Sequence, residues 1–255
     1  MISNYLRPKT IEDAHQLLQD SGSKGFIIGG GTFISTHQPY GGIAIDLQEI
    51  DNLNKIDRSN DSFQIGSRVT LQALVDCDDL NLVLRDAVKY ETGRNIRQSA
   101  TIAGHLVKSD GRSPLTTCLL GLDAKLGIYP LKGSVSVGDW LPFRNTCENQ
   151  GIITEVIIGT HPQLCFDYVA RTPKDRPIVC VAVVTWPGGR TRVALGGFGN
   201  SPLIVFDGPD SSGADKAALD AYSNADDCWA SAAYRMDVAQ KLVSRLLSSG
   251  KENPG

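Results

Sequence analysis

The chain has 255 residues, 41% of them hydrophobic, with 25 basic and 28 acidic residues. That length suits two domains with buried cores, and a net charge of −3 with interspersed signs leaves no basic stripe for nucleic acid. The N-terminus lacks the apolar run of a secretory signal, and no stretch of about eighteen apolar residues offers a membrane span, so the chain reads as cytoplasmic.

Thr10 followed by Ile11, Glu12 and Asp13 is a capped helix start, with Ile11, Ala14, Leu17 and Leu18 on one apolar face and Gly22 and Gly25 as the stop. Residues 26–28 form a short strand, and 44–47 a second that ends at Asp46. A strand-end position for Gly29 to Gly31 is where ligands commonly sit in α/β layers. Residues 63–66 open a second block, in which Thr70 caps a helix carrying Leu71 and Leu74, followed by a helix over 82–90. The backbone from 91 to 111 is expected to be irregular. An apolar helix or turn over 115–122 leads into a strand around 124–129, and the β-branched run 152–158 is the strand that closes the block.

Pro162 marks a boundary. Strands over 178–186 and 190–195 join through Pro187-Gly188-Gly189, a hairpin signal because glycine takes positive φ freely. Residues 208–214 read as a polar loop. A final helix over 229–247 places Trp229, Ala232, Ala233, Met236, Val243, Leu246 and Leu247 on one apolar stripe, with a frayed tail after Ser248. The expected class is α+β, with a first domain over 1–160, in two parts of about 1–57 and 58–160, and a C-terminal domain over 163–248.

Two glycine-centred turns carry the chemistry: Phe26-Ile27-Ile28-Gly29-Gly30-Gly31-Thr32 and Thr101-Ile102-Ala103-Gly104-His105. N–H groups freed at such turns converge on a phosphate without Lys or Arg, so two of them suit a diphosphate gripped from both sides. The plain alternative is an ordinary turn between apolar segments. Ile34 stands where a GxGxxG fingerprint needs its third glycine, and no GxxxxGK followed by Ser or Thr occurs, so a dinucleotide is expected to be held in another manner. Cys77, Cys118, Cys147, Cys165, Cys180 and Cys228 include no CxxC pair, which leaves zinc and iron–sulfur ligation without their spacing and buried thiols as the preferred reading. His15, His37, His105 and His161 form no HExxH pattern, and no GxSxG elbow exists, so neither a metal centre nor nucleophilic catalysis has a sequence pattern here.

The co-linear series Gly29-Gly30-Gly31-Thr32, Ile45-Asp46-Leu47, Gln64-Ile65-Gly66-Ser67, Val69-Thr70-Leu71, Ile96-Arg97, Thr101, Leu122-Asp123-Ala124 and Ala232-Ala233-Tyr234-Arg235 covers nearly the whole chain. It resembles the FAD-binding medium subunit of the molybdenum hydroxylases, the group of xanthine dehydrogenase and aerobic carbon monoxide dehydrogenase. The resemblance implies a two-part FAD-binding domain of the vanillyl-alcohol-oxidase type, followed by a small antiparallel-sheet-plus-helix domain. It places the FAD diphosphate against Ile27, Ile28, Gly29, Gly30, Gly31, Thr32, Phe33 and Ile34, with Thr101, Ala103, Gly104 and His105 as the second wall. Three positions depart from the family pattern. Ala103 adds a Cβ to a usual glycine, His105 replaces an amide side chain, and Pro114 replaces an Asp aimed at the adenosine ribose. Asp110 is either a substitute for that Asp or a solvated loop carboxylate.

Asp123, which starts a strand after an apolar run, reads as structural rather than ligand-binding; the same resemblance makes Tyr234 and Arg235 anchors between the domains, and sets Tyr168 and Arg171 either on the flavin side or in domain packing. It implies electrons that leave a molybdenum cofactor in a large subunit, cross two [2Fe-2S] clusters in a small iron–sulfur subunit, and reach FAD here before NAD or another acceptor. Trp140, Phe143 and Phe198, in or beside loops, either pack between the two domains or hint at interfaces with partner subunits, which the resemblance implies as a dimer of heterotrimers. The competing readings are a flavin-free structural subunit, motivated by Ala103, His105 and Pro114, and a self-sufficient FAD oxidoreductase.

Overall fold

A computed structural model describes residues 2–33, 42–144, 151–173 and 175–252. Ile34, His37 and Cys147 lie outside the described residues. The chain forms two compact units that do not follow chain order: Met1–Cys77, Thr92–Lys108 and Ala124–Ile158 make the first, and Asp78–Glu91, Ser109–Asp123 and Gly159–Gly255 the second. Residues 78–91 and 109–123, on the N-terminal side of the Pro162 boundary, thus fold with the C-terminal unit. Among the described residues, no helix is long and apolar enough to cross a membrane.

In the first unit β1 (Ile2–Leu6), β2 (Gly25–Ile28) and β3 (Gly42–Asp46) form a parallel sheet of order β1-β3-β2. The helix Ile11–Ser21 connects β1 to β2. Thr10 Oγ1 accepts from Asp13 N–H at 3.1 Å to start it, and Gly22 at φ 52 ends it. Its Ala14 and Leu18 pack with Ile45, Leu47, Ile50 and Leu53. Register sets Ile28 opposite Asp46, so β2 releases the chain into Gly29 at the carboxyl end of the sheet. Asp46 is buried there and accepts from the Tyr5 hydroxyl and from Gln48 N–H.

A second sheet of the first unit contains β4 (Ile56–Arg58), β5 (Ser62–Gly66), β6 (Lys125–Tyr129), β7 (Ser134–Ser136) and β8 (Ile152–Gly159), in the order β4-β5-β8-β6-β7. The segment 91–111 is not irregular as expected. It carries the short helices Arg94–Arg97 and Ile102–Lys108, so Gly104 lies inside a helix rather than at a turn. Helices of four and seven residues are too short to display an apolar period.

The second unit is built on an antiparallel sheet of order β12-β11-β10-β9, comprising β9 (Gln163–Val169), β10 (Val179–Thr185), β11 (Thr191–Gly196) and β12 (Leu203–Gly208). β10 is buried on both faces, which explains its unbroken apolar run. Val179, Val181 and Val183 join a core with residues of the helices Ala214–Ala221 and Ala232–Glu252. On the other face Cys180 meets Thr117 and Ala182 meets Gly121, both of the fully buried helix Pro114–Gly121. The last helix starts at Ala232 rather than at 229, because Asp227 Oδ1 accepts from Trp229 and Ala230 N–H and Ser231 Oγ from Tyr234 N–H, holding the chain in a turn until then. Trp229 is instead 40% exposed, with the guanidinium groups of Arg112 and Arg171 each 4.5 Å from its ring centre. The helix Ala214–Ala221 follows directly on the loop expected over 208–214.

Two arginines and two carboxylates brace one end of this sheet. Asp207 accepts from Arg190 Nε at 2.9 Å and from Arg192 Nη2 at 2.7 Å, while Asp123, at φ 56, pairs with the same two guanidinium groups. The Arg190 hydrogen bond, opposed by partial burial and reinforced by Arg192, lowers the Asp207 carboxyl from its ordinary 3.8 to about 2. A depressed folded-state pKa means that this stabilisation is present above pH 3.8 and is lost as the pH falls toward 2. Because Asp207 is about a third exposed, Asp207→Asn is expected to remove only about 1 kcal/mol at pH 7. Urea unfolding at pH 7, 4 and 2 checks this: the wild type and variant curves should converge at the lowest pH. A constant gap across that range would contradict the assignment.

Candidate functional site

The two glycine segments meet within the first unit, and backbone contact joins them. A Cβ at Gly30 would lie 1.6 Å from the Ser99 carbonyl oxygen, and one at Gly29 would lie 2.6 Å from Thr101 Oγ1. Gly30 is therefore required by the protein's own backbone. Gly31 has φ 69 and open space around its Cβ position, so its need is conformational.

The segment Ser99 to Thr101 is itself pinned. Ala100 N–H donates to Ile96 O at 2.8 Å, Ala100 O accepts from Leu71 N–H at 2.8 Å, and Thr101 bridges Thr70. The next amides are engaged as well: Ile102 N–H donates to Val69 O at 2.9 Å, Ala103 N–H to Ser67 O at 3.2 Å, and Gly104 N–H to Thr101 Oγ1 at 3.2 Å. His105 N–H continues the helix to Thr101 O at 2.8 Å. Thr101 thus caps the helix Ile102–Lys108 while buttressing Gly29. By contrast, no hydrogen bond among the described residues uses the N–H of Gly30 or Gly31. Donors with no acceptor among the described residues sit on the first glycine segment, whereas the second supplies the wall behind it.

The remaining expected residues divide by environment. Ile27 packs against the core of the parallel layer, and Ile28 ends β2. Thr32 is half-buried, and Phe33 is 41% exposed with Lys108 Nζ 4.8 Å from its ring centre. Gly104 is exposed and His105 half-buried. Asp110 belongs to the second unit, where its carboxylate accepts from Arg112 N–H at 2.8 Å and from Arg176 Nη1 at 2.7 Å. Burial opposes its ionisation, but Arg176 and the Arg112 amide outweigh that and hold the carboxyl below its ordinary range. Tyr168 lies 4.7 Å from the Tyr90 ring. Arg235 is fully buried inside the second unit, donating to the carbonyls of Ile178, Ala225 and Ala230 and to Asp227, whereas its neighbour Tyr234 is exposed. Ser99 and Lys108 escape sequence reasoning, the first because it acts through a carbonyl that every residue has. No group of three or more potential metal ligands occurs among the described residues.

The family model described as FAD binding domain in molybdopterin dehydrogenase matches residues 1–160. The uncharacterized protein YgfM of Escherichia coli K12 is 27% identical over 253 residues, covering 96% of this chain and 95% of that one. The alpha subunit of the 6-hydroxypseudooxynicotine dehydrogenase complex of Paenarthrobacter nicotinovorans is 25% identical over 279 residues, covering 96% of this chain and 93% of that one. Among solved structures, a chain of carbon monoxide dehydrogenase from Hydrogenophaga pseudoflava superposes with a TM-score of 0.82 at 20% identity, over 97% of this chain and 96% of that chain.

The two kinds of glycine requirement separate experimentally. Gly30→Ala drives a methyl into a carbonyl and is expected to destabilise by about 2 to 3 kcal/mol, whereas Gly31→Ala meets only the left-handed backbone penalty of about 1 kcal/mol. Denaturant midpoints of the two variants should differ accordingly, and equal losses would show that Ser99 moves aside freely.

Proposed function

Since the chain belongs to the family of FAD-binding domains of the molybdopterin dehydrogenases, the flavoprotein subunits of multi-subunit molybdenum-dependent oxidoreductases, we propose that it holds one non-covalent FAD and relays electrons from the [2Fe-2S] clusters of a partner subunit to NAD or another acceptor. The observation that supports this reading best is the pair of amides at Gly30 and Gly31, which have no acceptor among the described residues, just beyond the carboxyl end of β2. Neutral N–H donors on a glycine turn suit diphosphate oxygens, so the residues present fit the group.

Bound FAD supplies the redox chemistry, and the chain supplies position and electrostatics. In this reading Gly30 and Gly31 donate to the diphosphate, the Thr32 hydroxyl adds a contact, and Thr101 with Ser99 keeps the glycine turn in place. Ala103, Gly104 and His105 contribute through side chain and shape, since their amides are already engaged. Those engaged amides are also what favours the flavin-free alternative.

The clusters and the molybdenum cofactor are assigned to separate polypeptides, a small and a large subunit, in a cytoplasmic dimer of heterotrimers. The Paenarthrobacter relative is by its name one subunit of a dehydrogenase complex. Cys118 and Cys180 are fully buried core thiols, burial pushing the Cys180 thiol up to about 12, which suits packing rather than cluster ligation.

Acid denaturation of the purified complex is expected to release one FAD per chain into the supernatant, identified by chromatography. The tagged chain from its native source should bring down a cluster-bearing and a molybdenum-bearing polypeptide. A complex with intact clusters that releases no flavin on denaturation would establish the flavin-free subunit instead, and a monomer active alone would establish the self-sufficient oxidoreductase.

A further inference from the structure

The glycine turn offers a diphosphate only neutral donors, and the helix Ile102–Lys108 presents no open amino end, because its first amides are taken by Val69 O, Ser67 O and Thr101 Oγ1. The amides can seat a diphosphate without a cation, but a ligand group with two negative charges binds more tightly where a side chain adds countercharge. Lys108, the last residue of that helix, projects its ammonium to within 4.8 Å of the Phe33 ring centre, and Phe33 is the second residue beyond Gly31. Arg144 Nη1 donates to Leu106 O at 3.2 Å, and Arg97 donates to Gln72 Oε1 at 3.1 Å and to Thr92 O at 2.6 Å, so these two cations are anchored to the protein.

We propose that Lys108 is the cationic partner of the diphosphate: its ammonium rests on the exposed Phe33 ring when the turn is empty and transfers to a phosphate oxygen when a dinucleotide binds. An exposed cation–π contact is weaker than a charge-assisted hydrogen bond to phosphate, so the transfer runs toward the ligand. The four-carbon stem of lysine and the exposure of both side chains allow the movement. This inference rests on the flavin reading given above and adds a specificity element to it, since it ties affinity to the diphosphate rather than to the isoalloxazine ring.

The test uses the full chain in its complex after flavin removal, titrated with FAD, ADP and riboflavin. Lys108→Gln is expected to weaken FAD and ADP by about tenfold each while leaving riboflavin unchanged, and to flatten the salt dependence of FAD affinity. Lys108→Arg should keep most of the affinity. Unchanged FAD affinity in Lys108→Gln would overturn the proposal and leave the flavin reading standing. So would an equal loss for riboflavin, which marks a folding effect, or an equal loss in Arg144→Gln, which marks a general field. A wild-type chain that binds none of the three ligands would end the flavin reading together with the proposal.

Discussion

The Ser99 carbonyl occupies the volume in which any side chain at position 30 would begin, and much of the first unit is organised around that approach. One partner arrives from the end of β2, the other from the short helix Arg94–Arg97, and they are distant in sequence. Hydrogen bonds from Leu71 N–H to Ala100 O and from Ile102 N–H to Val69 O, which flank the Thr70–Thr101 bridge, hold the Ser99 side rigid. The parallel register with Asp46 holds the glycine side. Rigid backing matters because a donor array on a loose loop would lose the ordering entropy of that loop on every binding event.

From this contact follows a division of labour between two segments that look alike in sequence. Both are glycine-centred, yet one keeps two amides that have no acceptor among the described residues while the other uses its own to close a helix and join neighbouring backbone. Thr101 links the two roles, since the same hydroxyl that caps Gly104 also fills the space beside Gly29. Gly104 is exposed, yet a Cβ there would meet that same Thr101 Oγ1 at 2.9 Å.

How much of this was legible in the sequence depended on whether the signal was local. The Thr10 and Thr70 caps and the strands around 124–129 and 152–158 were read correctly, because side-chain oxygens at helix starts and β-branched runs act over a few residues. So was the hairpin through Gly189, at φ 90. The helix Ile102–Lys108 was not read, since tertiary bonds to Val69 and Ser67 rather than its own periodicity select it. Arg235 was expected as an anchor between domains, but it is satisfied inside one unit by an ion pair with Asp227 and by carbonyls of Ile178, Ala225 and Ala230, partners that no spacing rule announces. The glycine turn was legible as a place, while the reason for Gly30 lay in a contact with a residue of no distinctive type.

The interleaving of the two units has a consequence for how the protein is made. Every strand of the first unit has left the ribosome once residue 159 has emerged, so that unit has its complete set of strands early. The helix Pro114–Gly121, buried at all eight positions in the finished fold, is synthesised in the same interval but waits for β10 and β11 to give it a surface to lie on. During that delay a helix of mostly apolar side chains is tethered to a nascent chain, and whatever shields it, a chaperone or the ribosome itself, becomes a kinetic participant in the birth of the flavoprotein.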